Sequence, residues 1–307
     1  MPAFKNIAVV GGTSAIGQAL IKNLLTTKGE FDSVILLTRD PESAASKGLA
    51  ALGAETRKIP SELSADAIPA LVESLKGVDV LVSVVGFTGI ANQANLVHAC
   101  IQAGVKRFFP SEFGNDVDLH ASTIPFMAEK ITLRQLLRSE EVVSKLEHTF
   151  IENSYFMEFL FSPFMAFEIS GTSVSVNIPG TGDVPITVTH QSDIGRYVAE
   201  VLRADPALSR NKALKFEGDR LTWHQARELV QNAVTSKPGV SSKFTTTYTS
   251  VEELEKRLET AQGFESISVQ LFLMAARGQG LLSRNDNRLF PKVKPTSVKE
   301  YVATLIA

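Results

Sequence analysis

The chain has 307 residues, 44% of them hydrophobic and 21% charged, with a formal net charge of −2. That is enough for a sizeable core in one large domain or two intimate ones, and without a long basic run or an acidic tail it lacks the electrostatic footprint of a nucleic-acid binder. Its one cysteine, Cys100 in VHACIQAG, excludes an intrachain disulfide or a thiolate cluster and reads as a buried structural residue on a helix.

The N-terminal MPAFK leads directly into the first strand, which leaves no room for a signal peptide, and the longest apolar runs are strand-sized. A cytoplasmic protein without a membrane span is expected. Residues 6–17, NIAVVGGTSAIG, read as a buried strand, a glycine-rich turn and a helix, because Ile7 to Val10 are apolar and Ile16, Leu20 and Leu24 recur at helical spacing. This is the opening of a dinucleotide-binding βαβ unit: the chain turns tightly at Gly11, Gly12 and Gly17, and a helix N-terminus is left to receive a pyrophosphate. Ser14 stands where a middle glycine is usual, and a glycine-rich turn with no ligand is the alternative.

FDSVILLTR is the second strand, GAETRKIP a weaker third and GVDVLVSVVG the fourth, with helices over 41–52 and 68–76. A helix continues over 96–103, VKRFFPSEFG is a fifth strand breaking at Pro110, 124–137 is helical, and HTFIENSYF closes as a sixth strand. Strands alternating with helices predict an α/β, Rossmann-type, doubly wound parallel sheet over 1–155, with ligands at the carboxyl ends of its strands. From 156 to 307 the rhythm changes to a smaller α+β substrate-binding lobe, of which a segment such as 212–218 can return to the first domain. Here FMEFLFSPFMAFEIS is rich in phenylalanine, TSVSVNIPGTGDVPITVTH holds strand-like segments around a turn, ALKFEG is a short strand, and 192–202 is a helix. Thr222 with Gln225, and Ser250 with Glu253, are capping boxes, and Gly278 stops a late helix.

The second strand ends in Thr38 and Arg39 with no acidic residue to bind a ribose 2′-hydroxyl. A guanidinium there matches the 2′-phosphate of NADP, and Asp40, next in the chain, is the alternative ribose ligand. Lys47 adds to the phosphate site or is a surface charge. Gly86 lets the backbone pass close to a cofactor that Phe87 covers, unless Phe87 is a core residue. After the fifth strand, Ser111 and Glu112, then Phe113, face the crevice.

Lys130 carries the most information. No YxxxK pair exists in the chain, and Phe126 occupies the place of the tyrosine, so a reaction at this site uses the lysine amine itself as proton donor or acceptor. Apolar surroundings and Arg134, one turn later, would lower its pKa. The plainer alternative is a lysine that binds the nicotinamide ribose or decorates a helix. The five histidines show no metal-ligand spacing, and no GxSxG elbow supports acyl chemistry, so no metal is expected. His120, in the loop after PSEFG, is a candidate to reach the site. Phe156, Phe159, Phe161, Phe164 and Phe167 either roof an apolar, aromatic substrate pocket or form the core of the second lobe.

On these residues the sequence resembles the isoflavone reductase-like branch of the NmrA-like family, atypical short-chain dehydrogenases/reductases. The resemblance spans nearly the whole chain and rests on AGVKRFFPSEFGND, on Lys130 with Arg134 as K-x-x-x-R, on the SDIG of residues 192–195, and on VKPTSVKEYV. It implies that Gly11, Thr13, Ser14, Ala15 and Ile16 line the pyrophosphate, that Arg39 and Lys47 take the 2′-phosphate, and that Gly86, Phe87 and Gln93 lie along NADP. It further implies that Ser111, Glu112 and Phe113 flank the nicotinamide, with Asn153, Tyr155 and Phe156 at the end of the sixth strand and Lys130 catalytic. Two departures are Ser14 itself and a third strand that ends in Pro60 and Ser61 without the usual acidic residue.

The expectation is an NADPH-dependent reductase of a small apolar, aromatic or polyketide-type metabolite, with Phe87, Phe113, His120, Phe156, Phe159 and Phe164 as substrate contacts. Two rivals stay open: a redox-sensing regulator of the NmrA type, and an NADP-binding enzyme with a redox-neutral isomerase or cyclase reaction. Monomer and homodimer are equally open, and no nucleic-acid or membrane partner is expected.

Overall fold

The computed structural model describes residues 2–120, 127–170, 173–236 and 243–306. Thirteen strands occur among them: β1 (Asn6–Val10), β2 (Ser33–Thr38), β3 (Glu55–Lys58), β4 (Val80–Ser83), β5 (Arg107–Phe109), β6 (Glu147–Glu152), β7 (Tyr155–Phe156), β8 (Phe167–Ser170), β9 (Ser173–Pro179), β10 (Ile186–Thr189), β11 (Lys212–Lys215), β12 (Asp219–Leu221) and β13 (Lys243–Thr249). Seven form a parallel sheet in the order β11-β6-β5-β4-β1-β2-β3. The central strands β1, β2 and β4 read as near-continuous apolar runs because helices cover both of their faces. On one face Ile7 and Val9 pack with Ile16, Leu20, Ile21 and Leu24 of the helix Ala15–Leu24 and with the helix Gln191–Arg203. On the other, Ala8 and Val10 meet Leu96, Val97 and Cys100 of the helix Gln93–Ala103. Each fully buried aliphatic side chain contributes roughly 1.5–3 kcal/mol to holding these layers together.

The strand order reverses between β1 and β4, and the chain leaves both at the same end of the sheet. Such a switch point opens a crevice at the carboxyl ends. Gly11, at the end of β1, has φ +75°, and a Cβ there would lie 2.3 Å from the Val84 carbonyl oxygen, so the turn has room for glycine alone.

The expected sixth strand is shorter than HTFIENSYF. It stops at Glu152, Ser154 takes a left-handed φ of 57°, and Tyr155–Phe156 joins a different sheet, β12-β10-β7. A third sheet, β13-β9-β8, separates β9 from β10 although they are neighbours in sequence. Lys212–Lys215, within ALKFEG, pairs with β6 at the edge of the parallel sheet. The capping box of Thr222 and Gln225 is reciprocal, whereas Ser250 accepts from the Glu253 N–H as a simple N-cap. Of the helix expected over 124–137, Ala128–Arg138 is observed; residues 124–126 lie outside the described residues. Among the described residues no helix is long and apolar enough to cross a membrane.

Candidate functional site

Two adjoining cavities open at the switch point. The larger, of about 640 Å³, is lined by Gly11, Thr13 and Ser14 of the first turn, by Thr38 at the end of β2 and Arg39 after it, by Ile59 to Ser64 except Pro60 after β3, and by Val84 to Gly86 after β4. The smaller, of about 190 Å³, shares Ser14, Val84, Val85 and Gly86 with it and continues past Ala15, Ile16, Phe87, Ser111, Glu112, Phe113 and Lys130 to Phe156, Phe159 and Gln191.

Ser14 has a structural reason to replace a glycine. Its Oγ accepts from the Gly17 N–H at 3.2 Å as N-cap of the helix Ala15–Leu24 and donates to the Gly11 carbonyl at 2.8 Å, fixing the turn. The N–H groups of Ala15 and Ile16 have no acceptor among the described residues, and the first turn carries no acidic residue. An anion at this helix end therefore meets free donors and the positive end of the helix dipole. Arg39 is exposed at the cleft and makes no ion pair among the described residues. Asp40 turns its carboxylate onto the Glu42 N–H at 3.0 Å and does not line the cleft. The free donors, the glycine turn and the unpaired guanidinium fit a phosphorylated dinucleotide. Lys47 pairs with Glu42 at 2.9 Å and is not among the lining residues.

Behind the smaller cavity, Gln93 is buried and its Oε1 accepts from the Ser111 N–H at 2.7 Å, while Ser111 Oγ donates to the Val85 carbonyl at 2.7 Å. These bonds tie the ends of β4 and β5 together. Phe159 packs edge-on against both Phe156 and Phe164, so Phe164 backs the wall without lining it, whereas Phe161 and Phe167 are core residues of the second lobe. Tyr155 and Asn153 point elsewhere: Tyr155 is buried in the second-lobe core and donates to the Leu271 carbonyl at 2.8 Å, and the Asn153 side chain donates to the Ser154 carbonyl. His120 lies near Asp116 and Lys215 and lines neither cavity.

Lys130 is 6% exposed, and its Nζ donates to the Glu112 main-chain carbonyl. Burial pushes the amine below the ordinary lysine range; the Glu112 carboxylate opposes the shift, Arg134 adds to it and Glu152 opposes it. Sequence reasoning missed the charge network behind it. Arg134 is itself buried and reaches Glu112 at 3.1 Å, Glu152 at 2.6 Å and Asp118 at 2.9 Å, with its guanidinium over the Phe150 ring. Glu152 also meets Lys215 of β11 at 3.2 Å, and Lys215 pairs with Asp116. Burial holds the Glu152 carboxyl above the usual range, with Arg134 and Lys215 pulling it back. These partners lie from 16 residues apart, for Asp118 and Arg134, to 99, for Asp116 and Lys215, so no local spacing announces them.

The sequence and the fold have known counterparts. The chain is 27% identical to eugenol synthase 2 of Clarkia breweri, over 98% of this chain and 99% of that protein. It is 25% identical to phenylcoumaran benzylic ether reductase PT1 of Pinus taeda, with both chains covered in full. Its fold matches the solved structure of AtPrR2 with NADP+ and (+)pinoresinol at a TM-score of 0.81, with 22% identity over 100% of both chains. The NmrA-like family model matches residues 4–302, and the chain belongs to that family.

Proposed function

We propose that this protein is an NADPH-dependent reductase of a small, mainly apolar aromatic or polyketide-type metabolite, with Lys130 as its general acid/base. The turn from Gly11 to Ile16 holds the pyrophosphate, Arg39 takes the 2′-phosphate, and Gly86, Ser111 and Lys130 lie toward the nicotinamide. NADPH bound there supplies a hydride to an enone, imine or quinone-methide-like carbon. Phe113, Phe156 and Phe159 provide an apolar wall that holds an aromatic ring and excludes water. The Lys130 amine, facing this cavity, gives or takes the matching proton, a role worth about 10²–10⁴-fold in rate.

The observation that carries this reading is a buried amine with a lowered pKa at the meeting of an anion-binding turn and an aromatic cavity. The test is to mix the purified protein, NADPH and a small-molecule extract of its source, following absorbance loss and metabolite masses. Lysine-dependent NADPH oxidation, with one metabolite gaining two hydrogens, is expected. Tight NADPH binding without consumption contradicts the enzyme and supports a sensor, while a new metabolite of unchanged mass supports a redox-neutral reaction.

A further inference from the structure

We propose that Gln191 orients the substrate in the smaller cavity by hydrogen bonding a neutral hydroxyl group on its aromatic ring. The inference rests on the reductase reading only in taking that cavity as the place of the substrate. It follows from an inventory of the polar side chains that line it. Ser14 Oγ is spent on Gly11 and Gly17, and Ser111 Oγ on the Val85 carbonyl. The Glu112 carboxylate pairs with Arg134 through Oε2 while its Oε1 is buried without a partner among the described residues, and the Lys130 amine is the proton-exchanging group, resting on the Glu112 carbonyl. Gln191 is the remaining neutral group: its side-chain amide makes no hydrogen bond among the described residues and the residue is half-buried at the cavity wall.

Its placement is rigid. Gln191 is the first residue of the helix Gln191–Arg203, and its backbone N–H donates to both Glu158 carboxylate oxygens, at 3.0 and 3.3 Å. Glu158 is steadied in turn by His190 Nε2 at 3.3 Å. The fixed backbone sets where the side chain starts, so that binding has only its rotamers to order. The amide offers both a donor and an acceptor without charge, which suits a hydroxyl and gives a carboxylate or phosphate no counter-ion. Surrounded by Ile16, Phe113, Phe156 and Phe159, a hydroxyl without this partner would be buried unpaired.

Calorimetric titration of the NADP+-loaded protein with two probes, 4-hydroxybenzalacetone and benzalacetone, tests this, because they differ by one hydroxyl. Wild type is expected to bind the hydroxylated probe about 3- to 10-fold more tightly, the span of one neutral hydrogen bond. Gln191→Leu is expected to erase that preference and keep its affinity for benzalacetone, which a general loss of structure would not do. Equal binding of both probes by wild type, or a preference that survives Gln191→Leu, overturns the role of Gln191 alone. Failure of both probes to bind wild type overturns the aromatic-cavity reading, and this inference with it.

Discussion

At the scale of single residues, Lys130 and Arg39 answer to different physics. Lys130 works through burial, which destabilises its charged form. If the ammonium donates the proton in reduction, kcat falls as pH rises through a value below the ordinary lysine pKa of about 10.4. The Glu152 carboxylate supports that ammonium, so Glu152→Gln moves the falling limb to lower pH; a limb at the ordinary value that ignores Glu152→Gln contradicts the assignment. Arg39 works in the open as an unpaired charge. Arg39→Asp is expected to weaken NADPH binding by about 1.5–3 kcal/mol and leave NADH roughly unchanged, as read by titration calorimetry. Equal loss of both cofactors refutes a contact with the 2′-phosphate. Both residues stand out in the sequence because their neighbours announce them: Arg39 ends an apolar strand, and Lys130 sits on a helix in a chain without YxxxK. Gln191 carries no such signal, since its importance lies in what the other lining side chains are already bonded to.

At the scale of elements, the turn from β1 into its helix combines a left-handed glycine with a serine cap. Ser14→Ala removes the cap and is expected to cost about 1 kcal/mol, whereas Ser14→Gly costs only a few tenths, both measured by denaturant midpoints. Equal losses contradict the capping role. A similar local signature made β1, β2 and β4 legible, because buried parallel strands need unbroken apolar runs. Legibility failed at Ser154, where a left-handed residue ends β6 and carries Tyr155 into the second lobe. In HTFIENSYF the polar run Glu152 to Ser154 lies between two apolar pairs, and that run is the one local mark of the kink. The loop from Ile59 to Ser64, which walls the larger cavity, has no periodic pattern to read.

At the scale of the whole molecule, pairs distant in sequence hold the parallel sheet to the helix that carries Lys130. The network from Arg134 through Glu152 to Lys215 ties the Lys130 helix to β6 and β11. Such buried pairs cost about 3–5 kcal/mol to break by losing one partner, though they add little over a well-packed apolar core. His148 of β6 belongs to the same layer, its ring tilted against that of Phe150, and burial together with Arg138, Arg134 and Arg107 pushes its imidazole down to about 4 from 6.5. Between these values the unfolded chain binds a proton that the folded chain does not, so stability is lost as pH falls. The loss between about pH 7 and 5 is expected to reach about 2 kcal/mol in urea unfolding and to shrink in His148→Phe. An unchanged pH dependence in that variant contradicts the assignment.

The most direct test of Lys130-assisted hydride transfer uses NADPH deuterated at the transferable C4 position, mixed with wild type or Lys130→Ala and an extract of the source. The account predicts that one metabolite acquires a deuterium at a newly reduced carbon with wild type, and that Lys130→Ala binds NADPH about as well but leaves that metabolite unlabelled. Label transfer by the alanine variant at the wild-type rate, or no labelled metabolite from either protein despite bound NADPH, would contradict it.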